Sequence, residues 1–142
     1  MFRSTSLARL WLLLAAIFLV SCSMSEDYKQ AEQSVPRFHS SYDAGEFKAI
    51  YSTAGNELKK ATTEERFVKF MTAVHQKLGE VTSSKATGKN INYNTSGTYV
   101  TLNFVTTFSK GKGTEQFVYH VKDGKPLLIG YHINSDALVF EQ

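Results

Sequence analysis

A change in the spacing of apolar residues most constrains the fold of this chain. Up to Gly79 the apolar residues recur every three or four positions, which is the period of an amphipathic helix. From Thr98 onward they alternate with polar residues, which is the period of a half-buried strand. Helices followed by strands that share one apolar face predict an α+β fold, in which N-terminal helices pack on an antiparallel meander sheet.

Three helices are expected in the first half of the chain. Two of them should cover about residues 31–42 and 47–51, where apolar residues have helical spacing. The third should begin with a capping box, in which the Thr62 hydroxyl accepts a hydrogen bond from the amide of Glu65, and it should end at Gly79. Its apolar stripe consists of Phe67, Phe70, Met71, Val74 and Leu78.

The alternation of apolar and polar residues in the second half of the chain predicts strands that turn one face toward the helices. The three clearest are Thr98–Phe108, Glu115–Val121 and Leu127–Ile133. Residues 81–87 and 90–93 are two further candidates, separated by Gly88. The residues expected to face inward are Val100, Leu102, Phe104, Phe117, Tyr119, Leu127, Ile129 and Tyr131.

The turns decide which residues face each other across the strands, because a slip of one residue reverses every side chain. A turn at Gly111-Lys112 would pair Phe108 with Glu115 near an open end of the sheet. A three-residue loop at 122–124, with a bulge, would turn Leu127 toward the apolar face.

The N-terminal segment has the composition of a secretory signal. Arg3 and Arg9 provide its positive end, Leu10–Val20 is an unbroken apolar run, and Ser21 precedes Cys22, the only cysteine. The run is much shorter than the ~20 residues that a membrane-spanning helix needs.

The four residues Leu19-Val20-Ser21-Cys22 resemble the lipobox of bacterial lipoproteins. This resemblance implies cleavage between Ser21 and Cys22 and lipid attachment, including palmitate, at Cys22. With Ser23 next, it further implies a cell-envelope protein on the periplasmic face of the outer membrane in a Gram-negative host. The expected organisation is a signal peptide at 1–21, a lipidated tether at 22–33 and a single α+β domain at 34–142.

The charge of the mature chain argues against nucleic acid as a partner. The excess of basic over acidic residues falls from three to one when Arg3 and Arg9 leave with the signal. The remaining lysines are interspersed with acids or lie at expected turns, whereas nucleic-acid binding needs a clustered basic face. The membrane, through Cys22, and an envelope protein are the expected partners.

Several short segments resemble the DUF4019 group of small bacterial lipoproteins. They are Gly79-Glu80-Val81, residues 108–117 (FSKGKGTEQF), Asp123-Gly124-Lys125 and residues 130–135 (GYHINS). The order of helices and strands is also similar to that of the NTF2-like or cystatin-like cone folds. These resemblances imply a curved sheet around the helices and no particular chemistry.

A search for reactive groups finds no convincing catalytic set. Glu115 is the only strand carboxylate expected on the inward face, and it has no apparent His or Asp partner, so we expect no enzyme activity. The four histidines lack metal-ligand spacing, and Gly111 and Gly113 lie in a hairpin rather than a phosphate loop, so neither metal nor cofactor is expected. Six residues are expected either to line a pocket or to form core with a polar edge. They are Tyr42, Tyr51, Phe104, Glu115, Tyr119 and Tyr131.

Three functional hypotheses follow. The first is an anchored envelope lipoprotein whose domain binds a protein or envelope component without catalysis. The second is a small-molecule-binding cone that acts as a sensor or carrier. The third is an isomerase-like enzyme centred on Glu115. An apolar cavity of a few hundred Å³ favours the second, and a filled cone with an exposed apolar patch favours the first.

Overall fold

The computed structural model describes residues 26–139 of the chain. The expected signal peptide, Ser21 and Cys22 lie outside the described residues. The helices are α1 (26–43), α2 (Phe47–Thr53), α3 (Asn56–Ala61), α4 (Glu64–Leu78) and α5 (Asp136–Val139). The strands are β1 (Val81–Asn94), β2 (Gly97–Phe108), β3 (Gly111–Lys122) and β4 (Lys125–Asn134).

The four strands form one open antiparallel sheet in the order β1-β2-β3-β4. Within residues 26–139, four helices precede the sheet and the single-turn α5 follows it. The predicted α+β architecture, with N-terminal helices packed on a meander, is therefore confirmed.

Helix α1 lies across the sheet through one buried stripe. Its enclosed residues Ala31, Val35, Phe38 and Tyr42 have the predicted helical spacing. The helix already includes residues 26–33, which we expected to be a tether, and Ala31 is fully buried. The packed unit thus extends further toward the N-terminus than the expected boundary at residue 34.

Helix α4 buries most of the predicted apolar stripe, but two details of the prediction are wrong. Its N-cap is Thr63 rather than Thr62, and the Thr63 hydroxyl accepts a hydrogen bond from the amide of Arg66 at 3.3 Å. Phe70 is 44% exposed, because a stripe repeating every three to four residues leaves this position on the flank. Gly79 ends the helix with φ +75°, as predicted.

The predicted register between β2 and β3 is wrong by four residues. The strands turn at Ser109-Lys110 rather than Gly111-Lys112, so Glu115 faces Phe104 deep in the sheet. Contacts with the end of α4 hold this turn, since the amide of Lys110 donates to the carbonyl of Leu78 at 2.9 Å.

The turn between β3 and β4 is also tighter than predicted. Asp123 (φ 51°) and Gly124 (φ 71°) are both left-handed, which is typical of a two-residue type I′ turn. The bulge lies further along, at Ile129, where the register shifts by one residue. Leu128 therefore points inward beside Tyr119, and the prediction that Leu127 and Ile129 face inward is wrong.

A contact from the helical layer accompanies this bulge. The amide of Gly55, between α2 and α3, donates to the carbonyl of Leu128 at 2.8 Å. A side chain at Gly55 would lie 2.7 Å from the Cγ2 atom of Ile129, so only glycine permits this approach. Beyond the bulge Tyr131 faces inward again, as predicted.

Strand β1 joins the two candidate segments into one edge strand. The expected break at Gly88 is an irregularity in the pairing between Ala86 and Gly88. Apart from Val81 and Ile91, every residue of β1 is exposed. This strand therefore adds little to the core.

The space between the helices and the sheet is filled. Phe117 is fully buried at its centre, and its ring lies 5.0 Å from that of Phe38 and 5.2 Å from that of Tyr131. Met71 and Val100 beside it are also fully buried. An open binding space must therefore lie elsewhere.

Candidate functional site

A cluster of polar side chains surrounds Glu115 at one end of the core. The carboxylate accepts hydrogen bonds from Thr106 at 2.5 Å, Tyr131 at 2.7 Å and Nε2 of His39 at 2.8 Å. Because Thr106 donates its proton to Glu115, the Ser84 hydroxyl, 2.8 Å away, donates to Thr106. Four strands and α1 thus meet at one buried acid.

The sheet register brings these groups together. Glu115 faces Phe104 on β2 and Ile133 on β4. Thr106 and Tyr131 lie two residues from those positions on the same face, within diagonal reach of a side chain on β3. His39 completes the cluster from α1.

The prediction that Glu115 has no His or Asp partner is wrong. The register error placed Glu115 beside Phe108, at the open end of the sheet, and so separated it from α1. His39 lies four residues after Val35, and this spacing places both residues on the buried side of α1. Helical spacing alone could therefore have identified His39 as an inward residue.

Burial controls the ionisation of the hydroxyl donor Tyr131. Burial, and then the charge of Glu115, raise the pKa of Tyr131 well above its ordinary value of 10.0. The hydroxyl therefore stays protonated, and available to donate, even at a pH at which an ordinary tyrosine ionises. The same two causes, in the same order, raise the pKa of Tyr42, whose hydroxyl donates to the carbonyl of Gly79 at 3.0 Å.

The Glu115 cluster is enclosed. The side chain of Glu115 is 1% exposed, and that of His39 is 10% exposed. A general base must lie within about 3 Å of the proton that it removes, and here those positions are taken by Thr106, Tyr131 and His39. A satisfied polar network of this kind fixes the position of α1 on the sheet.

An open cleft lies on the other side of α1. It has a volume of about 620 Å³ and separates α1 from α2 and from the β3–β4 hairpin. Its polar wall on α1 includes Ser34, Arg37 and Ser41, which follow one another at helical spacing. Its apolar wall includes Phe38, Ile50, Pro126, Leu127 and Leu128.

Tyr119 connects the core to this cleft. The residue is 3% exposed, and it is one of the residues that line the cleft, so its side chain reaches that space. Within residues 26–139, the enclosed side-chain atom without a hydrogen-bond partner is His75 Nε2. Burial and the charge of Glu115 raise the pKa of Tyr119, whereas the Arg37 guanidinium lowers it.

The six expected pocket residues occupy four different places. Glu115, Tyr131 and Phe104 lie together at the polar cluster, and Tyr119 lines the cleft. Tyr42 and Tyr51 lie elsewhere, with their hydroxyls donating to the carbonyls of Gly79 and Thr62. The structure therefore does not unite the six in one pocket.

The histidines are dispersed. His75 packs edge-on to the Tyr42 ring at 5.0 Å. His120 stacks on Tyr99 at 4.3 Å and contacts the carbonyl of Ser96, and His132 lies exposed on the outer face of the sheet. Within residues 26–139, no three His, Cys, Asp or Glu side chains are grouped in a way that could hold a metal ion.

A comparison with known families finds one that covers most of the domain. Its model, described as a protein of unknown function, matches residues 34–131, from α1 into β4. No curated protein matches the chain. None of the helices in the described part of the chain is both long and apolar enough to cross a membrane. By the extent of the family match, the chain belongs to the DUF4019 family.

Proposed function

We propose that this protein is a lipid-anchored binding domain of the bacterial cell envelope that works without catalysis. The cleft between α1, α2 and the β3–β4 hairpin is its binding site. The observation that carries the proposal is the combination of a filled interior and an open cleft of about 620 Å³ outside it. Clefts of a few hundred Å³ with mixed apolar and polar walls are typical of small-molecule sites.

The arrangement around Glu115 supports the non-catalytic part of the proposal. A catalytic acid or base needs access to a substrate. Glu115 is 2% exposed and already accepts hydrogen bonds from three side chains. Its role in this account is to hold α1, which forms one wall of the cleft, in place.

The lipobox supports the anchoring part. A diacylglyceryl group on Cys22 would supply two acyl chains, which is about what stable membrane attachment needs. Helix α1 is already formed at residue 26, a few positions after Cys22. The anchor would therefore keep the domain, and the cleft lined by Gln30 near the beginning of α1, close to the membrane surface.

Mass spectrometry of molecules that co-purify with the full chain tests the binding role. The wild-type protein should release a small molecule on denaturation. Ala49→Trp, which fills the cleft from α2, should release much less, while Glu115→Gln should release as much as wild type when it folds. Release that depends on Glu115 but not on Ala49 would place the site at the polar cluster and contradict the proposal.

Labelling cells with an alkyne fatty acid tests the anchor separately. Wild-type protein should be labelled, and Cys22→Ser should be unlabelled and should persist as the uncleaved precursor. Equal labelling of both proteins would refute lipid attachment at Cys22 without affecting the argument about the cleft.

A further inference from the structure

We infer that the ligand of the cleft is an anionic amphiphile, with a carboxylate or phosphate head and a short apolar tail. This inference rests on the proposed function, and it adds the chemical class of the ligand. It depends on three properties of the cleft, namely its charge, its tyrosine hydroxyl and its apolar wall.

The charge of the cleft is positive. Arg37 on α1 and Lys125 at the start of β4 both line it, and no Asp or Glu from the described part of the chain does. Two cations without a lining acid favour a negatively charged ligand. A guanidinium can also hold a carboxylate or a phosphate with two parallel hydrogen bonds.

The second property is the Tyr119 hydroxyl. Tyr119 is almost fully buried, yet it lines the cleft, so its side chain lies where a bound head group could meet it. A tyrosine hydroxyl at the polar edge of an apolar site can donate a hydrogen bond to an anionic oxygen. Burial and the charge of Glu115 raise the pKa of Tyr119, so the hydroxyl keeps its proton even at a pH at which an ordinary tyrosine ionises.

The apolar wall fits a tail rather than a second charged group. Ile50 from α2 and Leu128 from β4 are almost fully buried beneath the cleft, while Leu127 is 37% exposed at its edge. Leu127 continues the apolar wall to the edge of the cleft, where a bound alkyl chain would cover it. The head would then lie toward Arg37 and Tyr119, and the tail along the apolar wall.

Titration of the full chain in a neutral detergent, followed by amide shifts of Gly124 and Lys125 in NMR spectra, tests the ligand class. The probes are octyl phosphate, octanoate, octanol and inorganic phosphate. Octyl phosphate and octanoate should give saturable shifts, and octanol and inorganic phosphate should bind at least tenfold more weakly. Partition of a probe into the detergent is the same for every variant, so comparisons between variants remain valid.

Single substitutions test which side chains bind the head of octyl phosphate. Arg37→Gln should weaken octyl phosphate binding about tenfold or more, because it removes a charge-assisted hydrogen bond. Tyr119→Phe should weaken it about threefold to tenfold by removing one donor. Arg66→Gln is the matched control, since Arg66 is an exposed arginine on α4 that does not line the cleft.

Vesicles distinguish the two sources of such a ligand. If the head belongs to a membrane lipid, phosphatidylcholine vesicles with added phosphatidylglycerol should shift the cleft amides and pure phosphatidylcholine vesicles should not. If the ligand is a free acid, only the soluble probes should act. Both outcomes support the inferred chemistry.

Three outcomes overturn the inference. If octanol binds as tightly as octyl phosphate, the cleft binds apolar molecules, so the anionic class is wrong while the proposed binding function stands. If no probe shifts the cleft amides, or if Arg66→Gln weakens binding as much as Arg37→Gln, the inferred ligand class is wrong. The proposed function itself fails only if the co-purifying molecule is also insensitive to Ala49→Trp.

Discussion

Replacing Glu115 with leucine removes the acceptor that three donors share. His39, Thr106 and Tyr131 would each lose a hydrogen bond to the carboxylate, at distances between 2.5 and 2.8 Å in the native cluster. Leucine has a similar size, so the loss is one of polar partners more than of packing. Thr106 keeps its contact with Ser84, which limits the damage.

The expected cost is large. A buried hydrogen-bonding group left without its partner costs about 1–3 kcal/mol, and the change leaves three donors in this state, so we expect a destabilisation of about 3–5 kcal/mol in total. For a domain of this size that corresponds to a fall in Tm of roughly 10–20 °C. Glu115→Gln should cost about half as much, because its amide oxygen still accepts from one or two of the donors.

Thermal unfolding followed by circular dichroism measures these effects. Thr114→Leu, at the exposed neighbouring position on β3, is the control and should change the free energy of unfolding by less than about 0.5 kcal/mol. In a His39→Phe background, Glu115→Leu should cost less, since one donor is already gone. An unchanged or raised Tm for Glu115→Leu in the native background would refute the structural role of the cluster.

Two further predictions concern the turn and the tyrosines. Gly124→Val should destabilise the domain by about 1 kcal/mol or more, because φ is +71° and no neighbouring atom compensates for the strain; an unchanged Tm would contradict the left-handed turn. The raised pKa values of Tyr42, Tyr119 and Tyr131 stabilise the fold below the ordinary tyrosine pKa of 10.0, and this stability is lost as the pH rises above it. Ultraviolet titration should therefore show that these three of the seven tyrosines ionise only when the protein unfolds, and reversible ionisation of all seven in the native state would refute their burial.

The fold class could be predicted because it depends on local periodicity. The stripe from Phe67 to Leu78 and the alternation in β2 each follow from the spacing of residues near one another in sequence. The order of elements then limits the architecture to helices packed on a meander.

The registers could not be predicted because distant contacts set them. The sequence places glycines at 111 and 113, which suit a turn, yet Ser109-Lys110 makes the turn because Lys110 bonds to the end of α4. The bulge at Ile129 likewise accompanies a contact with Gly55, more than 70 positions away in the chain. Neither contact leaves a local pattern.

The prediction of the polar cluster depended on these registers. The observed β2–β3 pairing differs from the predicted one by four residues. It places Glu115 within hydrogen-bond distance of His39 instead of at the open end of the sheet. The cleft could not be predicted from the sequence, because it is the space left between α1, α2 and the β3–β4 hairpin and no single segment encodes it. Tyr119 was expected either to line a pocket or to form core with a polar edge, and it is an almost fully buried residue that also lines the cleft.

The position of a bound alkyl chain decides which side of α1 holds the ligand. In the full chain with octyl phosphate, intermolecular NOEs between the alkyl protons and assigned methyl groups report this position. We expect NOEs to the methyl groups of Ile50 and Leu128 in the cleft. NOEs to Val100 and Leu102, inside the space between the helices and the sheet, would contradict the proposed binding site.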